Sequence, residues 1–138
     1  MESARNGGDM GDLLYSTLTD KIIAAAFKVH NTLGKNLSEN MYRNALVLQL
    51  EAMGLQAEAE KDLPVFFEQA RVGKLRADVV VENKVVLELK AGHRITNKHL
   101  SKLLSALRNT RYQLGLVINF GPSVHIKRVI NSIQNKRR

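Results

Sequence analysis

Asp78, Glu88 and Lys90 are the side chains whose types and spacing suggest chemistry. They fall within residues 74–91, KLRADVVVENKVVLELKA, where nine residues separate the aspartate from Glu88-Leu89-Lys90. Two carboxylates held side by side make a hard-oxygen site for a divalent cation such as Mg2+, and the cation removes their mutual repulsion. A structural alternative stands beside this one. Arg76 and Lys90 would neutralise the acids as a solvated charge cluster on a strand face.

Positioning these residues requires a β-hairpin. Asp78 to Val81 and Val85 to Leu89 are rich in β-branched residues and flank the polar break Glu82-Asn83-Lys84. With 82–84 as the loop, 81 pairs with 85, 79 with 87 and 78 with 88. Side chains alternate along a strand, so Ala77, Val79, Val81, Val85, Leu87 and Leu89 share one face. Arg76, Asp78, Val80, Val86, Glu88 and Lys90 share the other. Asp78 and Glu88 would then be direct cross-strand partners, with Cβ atoms about 5 Å apart, and like charges so placed destabilise a sheet.

The chain has 138 residues, of which 44% are hydrophobic and 25% charged, enough for one domain with a proper core. No cysteine is present, which excludes disulfides and thiolate metal sites and suits a reducing compartment. No apolar run approaches the roughly 20 residues of a membrane span, and the first dozen residues have no apolar signal core. A soluble, cytoplasmic protein is the expectation. The net charge is +8, and its distribution is uneven. Residues 91–138 hold ten Lys or Arg and no Asp or Glu. Such asymmetry points to a polyanionic partner, most simply DNA or RNA, rather than to a merely basic surface. Only three tyrosines and no tryptophan argue against a base-stacking platform for single strands.

The remaining elements follow from period and punctuation. Residues 1–15 read as a polar, Gly-rich leader, 16–134 as one domain and 135–138 as a basic tail. A first helix starts near Thr17 or Thr19, carries Ile22, Ile23, Ala26 and Val29, and stops at Gly34. His30 lies beside that stripe and reads as a packed histidine, since no other ligand accompanies it. Ser38 caps a second helix, with Glu39 in its first turn and Met41, Tyr42, Ala45, Leu46, Leu48, Gln49 and Met53 on its apolar face. Glu39 either stabilises the helix start or leans toward the carboxylate pair. Residues 55–60 suggest a short edge strand, 62–64 a break, 65–70 a strand, and Val72-Gly73 a turn. Thr96 caps a helix over 97–109 with Leu100, Leu103, Leu104 and Leu107 inward. A buried strand follows over 112–119, and a last strand after Gly121-Pro122 that finishes helical. The order describes an α/β fold with a mixed sheet between helices.

The spacing Asp78, Glu88-Leu89-Lys90 matches the D…(D/E)xK signature of the PD-(D/E)XK nuclease superfamily. IIAAAFKVHNTLGKNLSENMYRNAL (22–46), RADVVVENKVVLELKA and LGLVINFG (114–121) resemble its GxxExxY family, over about residues 19–130. The resemblance implies a restriction-endonuclease-like αβββαβ core with an extra N-terminal helix. It implies a nuclease hydrolysing DNA phosphodiester bonds with Mg2+ (or Mn2+). Asp78 and Glu88 would ligate the metal with the Leu89 carbonyl. Lys90 would orient or help deprotonate the water, and Glu39 would hold a second metal or a metal-bound water. Lys98, Lys102, Arg108, Lys127 and Arg128 would contact the nucleic-acid backbone. Two positions depart from the family. Asn36 replaces the glycine of the name motif Asn36-Glu39-Tyr42, and Asn also tolerates a left-handed turn. Lys102 and Ala106 stand where the family has a glutamine and a tyrosine. That second departure supports an alternative, a nuclease-fold binding module with little or no turnover. A third alternative is a homo-oligomeric adaptor without nucleic acid, its dimer contacts made by Ile22, Ala26 and Val29.

Overall fold

Eight elements follow one another along residues 14–131, the part of the chain described by the computed structural model. They are α1 (Ser16–Leu33), α2 (Glu39–Ala52), β1 (Ala57–Phe67), β2 (Ala70–Val81), β3 (Val85–Lys90), α3 (Asn97–Arg108), β4 (Leu114–Phe120) and β5 (Val124–Ile130). Most of the expected leader and the whole basic tail lie outside the described residues. The strands form one sheet in chain order, antiparallel throughout except for β3 and β4. Parallel neighbours need a crossover, and α3 supplies it.

Two cores sandwich the sheet. On one face, Ile22, Ala25, Ala26 and Val29 of α1 and Tyr42, Leu46 and Leu50 of α2 pack on Val79, Val81, Val85, Leu87, Leu89, Leu114, Leu116 and Ile118. On the other, Leu103 and Leu107 of α3 meet Leu63, Ala77, Val80, Val86, Tyr112 and Val117. Gly115 lets α3 approach closely, since a Cβ there would fall 2.8 Å from Leu103. The α/β class, mixed sheet and helix order agree with the sequence, and the fold is restriction-endonuclease-like.

Local features differ where tertiary packing overrides pattern. α1 begins at Ser16 behind a left-handed Tyr15, while Thr19 sits buried in the first turn with its hydroxyl donating to the Ser16 carbonyl at 3.1 Å. Gly34, at φ 79°, ends that helix as expected. Ser38 caps α2 by accepting from the Met41 N–H at 3.3 Å, yet Met41 and Leu48 are 54% and 68% exposed, because the inward stripe runs through Tyr42, Leu46 and Leu50. Ile22, Ala26 and Val29 are buried in the chain's own core, so they are not free to form the dimer contacts of the adaptor alternative. β5 stays a strand to Ile130, so the helical finish expected over Val129-Ile130 does not occur among the described residues.

The largest difference concerns β1 and β2. The expected break at Pro64 and turn at Val72-Gly73 are both inside strands, paired as Pro64 with Lys74 and Val65 with Gly73. β1 is an edge strand, where a proline's missing N–H is tolerated. The turn instead uses Glu68, at φ 56°. Ala77 joins the α3-side core rather than the face of Val79. The ladder pairs Ala59 with Val79 and Lys61 with Ala77, skipping Glu60 and Asp78, and Glu60 has a positive φ. That irregularity turns the outer ribbon, so strict alternation does not carry through it.

Candidate active site

β2 and β3 pair only from Val79–Leu87 to Val81–Val85, as the loop at 82–84 required. β3 continues alongside β4 as far as Lys90. The two strands therefore fork where the acidic residues stand. Asp78 and Glu88 are not ladder partners, contrary to the register extrapolated from the turn. Asp78 Oδ2 instead accepts the Leu89 N–H at 2.6 Å, which fills the place of a ladder bond and fixes the carboxylate at the mouth of the fork. Leu89 itself is buried and anchors this backbone from the α1–α2 side.

Glu88 is half-buried next to it. Burial first, and then the negative charge of Asp78, push the Glu88 carboxyl from 4.5 up to about 7, with Glu39 adding in the same direction. Lys102 and Lys90 oppose the rise. These interactions place Asp78, Glu39, Lys90 and Lys102 around one carboxyl. The two acids lie neither far apart nor sealed away.

Sequence reasoning missed His99. Its ring forms a capping box with Thr96: the Thr96 N–H donates to His99 Nδ1 at 3.2 Å, and the His99 N–H donates to Thr96 Oγ1 at 3.3 Å. With Nδ1 accepting, the neutral ring carries its proton on Nε2. Burial, and then Lys90, push its pKa down, while Glu39 opposes. The available signal was a Thr-x-x-His at the start of α3, a variant of the Thr-x-x-Glu box.

Three tertiary clamps position the site. Tyr42 is fully buried, stacks on Phe120 at 4.6 Å between centroids, and donates to the Gly34 carbonyl at 2.6 Å. It thereby holds the turn that carries Asn36, at φ 73°, into Glu39. His30 Nε2 donates to the Gly121 carbonyl at 2.8 Å, so it is a packed histidine as expected. Buried Asn119 grips the backbone of Gly92 twice, through Oδ1 at 2.9 Å and Nδ2 at 3.1 Å. A Cβ on Gly121 would collide with the Gly92 carbonyl oxygen. The segment leaving Lys90 is thus locked to the end of β4.

The basic residues divide. Lys98 and Lys102 are exposed on α3, and Lys102 interacts with Glu88. Lys127 is exposed and pairs with Val117, which belongs to the α3-side core, so it shares that sheet face. Arg108, at the other end of α3, lines a separate cleft. Arg128 pairs with Leu116 on the opposite face, where it donates to Thr19 Oγ1 at 3.3 Å and the Leu14 carbonyl at 2.6 Å. The structure does not bring it to the basic surface.

A family model of the PD-(D/E)XK nuclease superfamily matches residues 16–130. No curated protein matches. The solved structure described as "Crystal structure of SSO0001" has a similar fold, with TM-score 0.55, 17% identity, and coverage of 89% of this chain and 62% of that one. The chain therefore spans less than two thirds of that structure's length. Among the described residues, no helix is long and apolar enough to cross a membrane.

Proposed function

Because the chain belongs to the PD-(D/E)XK nuclease superfamily, we propose that it hydrolyses phosphodiester bonds of DNA, and that Asp78, Glu88 and Lys90 carry the reaction. The carrying observation is the carboxylate pair at the β2–β3 fork, where burial and then repulsion by Asp78 raise the Glu88 carboxyl to about 7. Superfamily members generally use divalent metal ions. The donors here fit Mg2+ or Mn2+, since they are hard oxygens whose mutual repulsion a cation relieves. Among the described residues no group of three or more acidic or histidine side chains stands ready to hold a metal ion. Asp78 and Glu88 would therefore hold it with the Leu89 carbonyl and water, and Glu39 would act from α2 through water.

When bound, the cation supplies Lewis-acid polarisation of the phosphate and a more acidic water. The protein supplies position and charge. Asp78 is fixed by the Leu89 N–H. Lys90 orients the attacking water and offsets negative charge growing on the phosphoryl oxygens. His99 offers Nε2–H as an uncharged donor to the same oxygens. The water oxygen forms the new P–O bond, one ester P–O bond breaks, and the proton passes to the leaving oxygen. Lys98, Lys102 and Lys127 hold neighbouring phosphates, which gives salt-sensitive affinity with little sequence readout. The left-handed Asn36, Glu39 and the buried Tyr42 support assignment to the GxxExxY family.

Plasmid, linear and single-stranded DNA incubated with Mg2+ or Mn2+ provide the test. Cleavage is expected, and it is expected to vanish in Asp78→Ala and Lys90→Ala. Activity that survives either substitution refutes the assignment. One observation favours a second reading, binding without turnover: Lys102, beside Glu88, stands where the family carries glutamine. That alternative predicts DNA binding with no cleavage under either metal.

A further inference from the structure

The outer β1–β2 ribbon and the α3–β4 connection enclose a cleft of about 1160 Å3. Phe66, Phe67, Arg108, Arg111 and Tyr112 are among the residues that line it. No residue of the proposed hydrolytic centre does so. Resting on the nuclease reading above, we propose that this cleft receives unpaired nucleotides of the substrate, their bases against Phe66 and Phe67 and their phosphates against Arg108 and Arg111.

Four observations carry the proposal. First, Phe66 and Phe67 are 57% and 68% exposed, although consecutive strand residues ordinarily point to opposite faces. The register shifts between Val65 and Phe66, and such a bulge re-aims side chains, so both rings line one cleft. Second, two of the cations there carry no ion pair: Lys61 is held by Glu58 at 3.1 Å, but Arg108 and Arg111 make none among the described residues. The Arg111 guanidinium lies 4.6 Å from the centre of the Tyr112 ring, and a guanidinium suits a phosphate or a base. Third, one of the two lining acids is answered: Asp62 is bound by Lys74 at 3.1 Å and Arg76 at 3.3 Å, which leaves Glu68 against the two arginines. Fourth, the cleft exceeds the roughly 300–1,000 Å3 of small-molecule pockets, which fits a stretch of polymer better than an enclosed metabolite.

Strandedness follows from chemistry. Bases in a duplex are stacked on each other and cannot offer a face to a side chain, whereas every unpaired base can. Continuity with the hydrolytic centre is short. Lys102 interacts with Glu88, and Arg108 lies six residues further along the same helix, roughly 9 Å of rise and about a third of a turn around its axis. One strand can thus cross both, with its unpaired part beyond the scissile phosphate. Phenylalanine supplies the platform that the scarcity of tyrosine and tryptophan argued against.

The test is fluorescence anisotropy in EDTA, where no cleavage intervenes, with three labelled DNAs: a single strand, a blunt duplex, and the same duplex with an unpaired tail. Wild type is expected to bind the tailed duplex and single strand more tightly than the blunt duplex. Phe66→Ala/Phe67→Ala is expected to lose about 10- to 100-fold on the first two and to leave blunt-duplex affinity unchanged. Phe66→Leu/Phe67→Leu keeps apolar bulk without rings and is expected to lose nearly as much. Arg108→Ala/Arg111→Ala is expected to shallow the single-strand salt slope by about 1.4. Equal binding of single strand by wild type and both phenylalanine variants overturns the proposal, as does an equal loss on all three DNAs. Failure of wild type to bind any of them at low salt overturns the nuclease reading as well. Blunt-duplex binding and cleavage that survive while the phenylalanines prove silent overturn this inference alone.

Discussion

Replacing Glu88 with glutamine is expected to make the metal-free protein more stable at neutral pH. The folded structure holds this carboxyl at about 7, against 4.5 for an unperturbed one, first because it is buried and second because Asp78 is beside it. At about 1.36 kcal/mol per pH unit, keeping Glu88 ionised in the folded state costs roughly 3 kcal/mol. The sign follows from proton counting. Below pH 4.5 the group is protonated in both states and no penalty exists. As pH rises from 4.5, the unfolded chain releases its proton while the folded protein keeps it, so stability falls. The loss is complete above about pH 7. Glutamine keeps the shape and carries no charge, so Glu88→Gln should match wild type near pH 4.5 and exceed it by up to about 3 kcal/mol at pH 8. For a chain of this length that corresponds to about 10 °C in Tm. Thermal melts in EDTA from pH 4.5 to 8.5 measure the difference directly. A variant no more stable than wild type at pH 8, or a gap that does not widen with pH, refutes the electrostatic account of the site. The same melts extend to the cation. Mg2+ or Mn2+ at millimolar concentration should raise the wild-type Tm at pH 8 and leave Glu88→Gln unmoved.

Other outcomes follow from the clamps and the amine. Lys90→Met should reduce cleavage by about 10²-fold or more while leaving the metal-dependent rise in Tm in place, since the donors remain. Gly121→Ala should destabilise the fold by about 1–3 kcal/mol in urea titrations, because its Cβ meets backbone rather than a side chain that can turn aside. Tyr42→Phe should cost about 1 kcal/mol in the same measurement, by removing the hydroxyl that holds the Gly34 carbonyl. His99→Ala should lower helix stability by about 1 kcal/mol and slow cleavage, whereas His99→Gln, which keeps a capping acceptor, should recover the stability alone.

How far the residues announced this arrangement depended on how local each signal was. The hairpin register from Val79 to Val81 followed from loop length and alternation, because both act within ten residues. Helix ends at Gly34 and Thr96 were legible for the same reason. Ala77 was misplaced because the irregularity opposite Glu60 belongs to pairing with a distant strand, which alternation along β2 does not contain. Pro64 looked like a break because the position of β1 at the sheet edge is a tertiary fact. Asp78, Glu88 and Lys90 were found by type and spacing, Glu39 by its place at the start of the second helix, and the resemblance added a metal role for it. The fork that brings the two acids together, and the part of His99, needed three-dimensional packing. Arg128 was counted with the basic surface because charge composition has no direction, and strand pairing turns it toward α1.

The outer edge of β1 has a consequence for how copies of the chain meet. It runs eleven residues with a neighbour on one side only, and its solvent row includes Glu58, Glu60, Asp62 and a proline. An incoming strand would have to displace or bury a row of ion-paired carboxylates and, at Pro64, would meet a missing donor. Growth of the sheet by edge-to-edge addition is therefore discouraged from this side, and fibrillar stacking starts at a disadvantage.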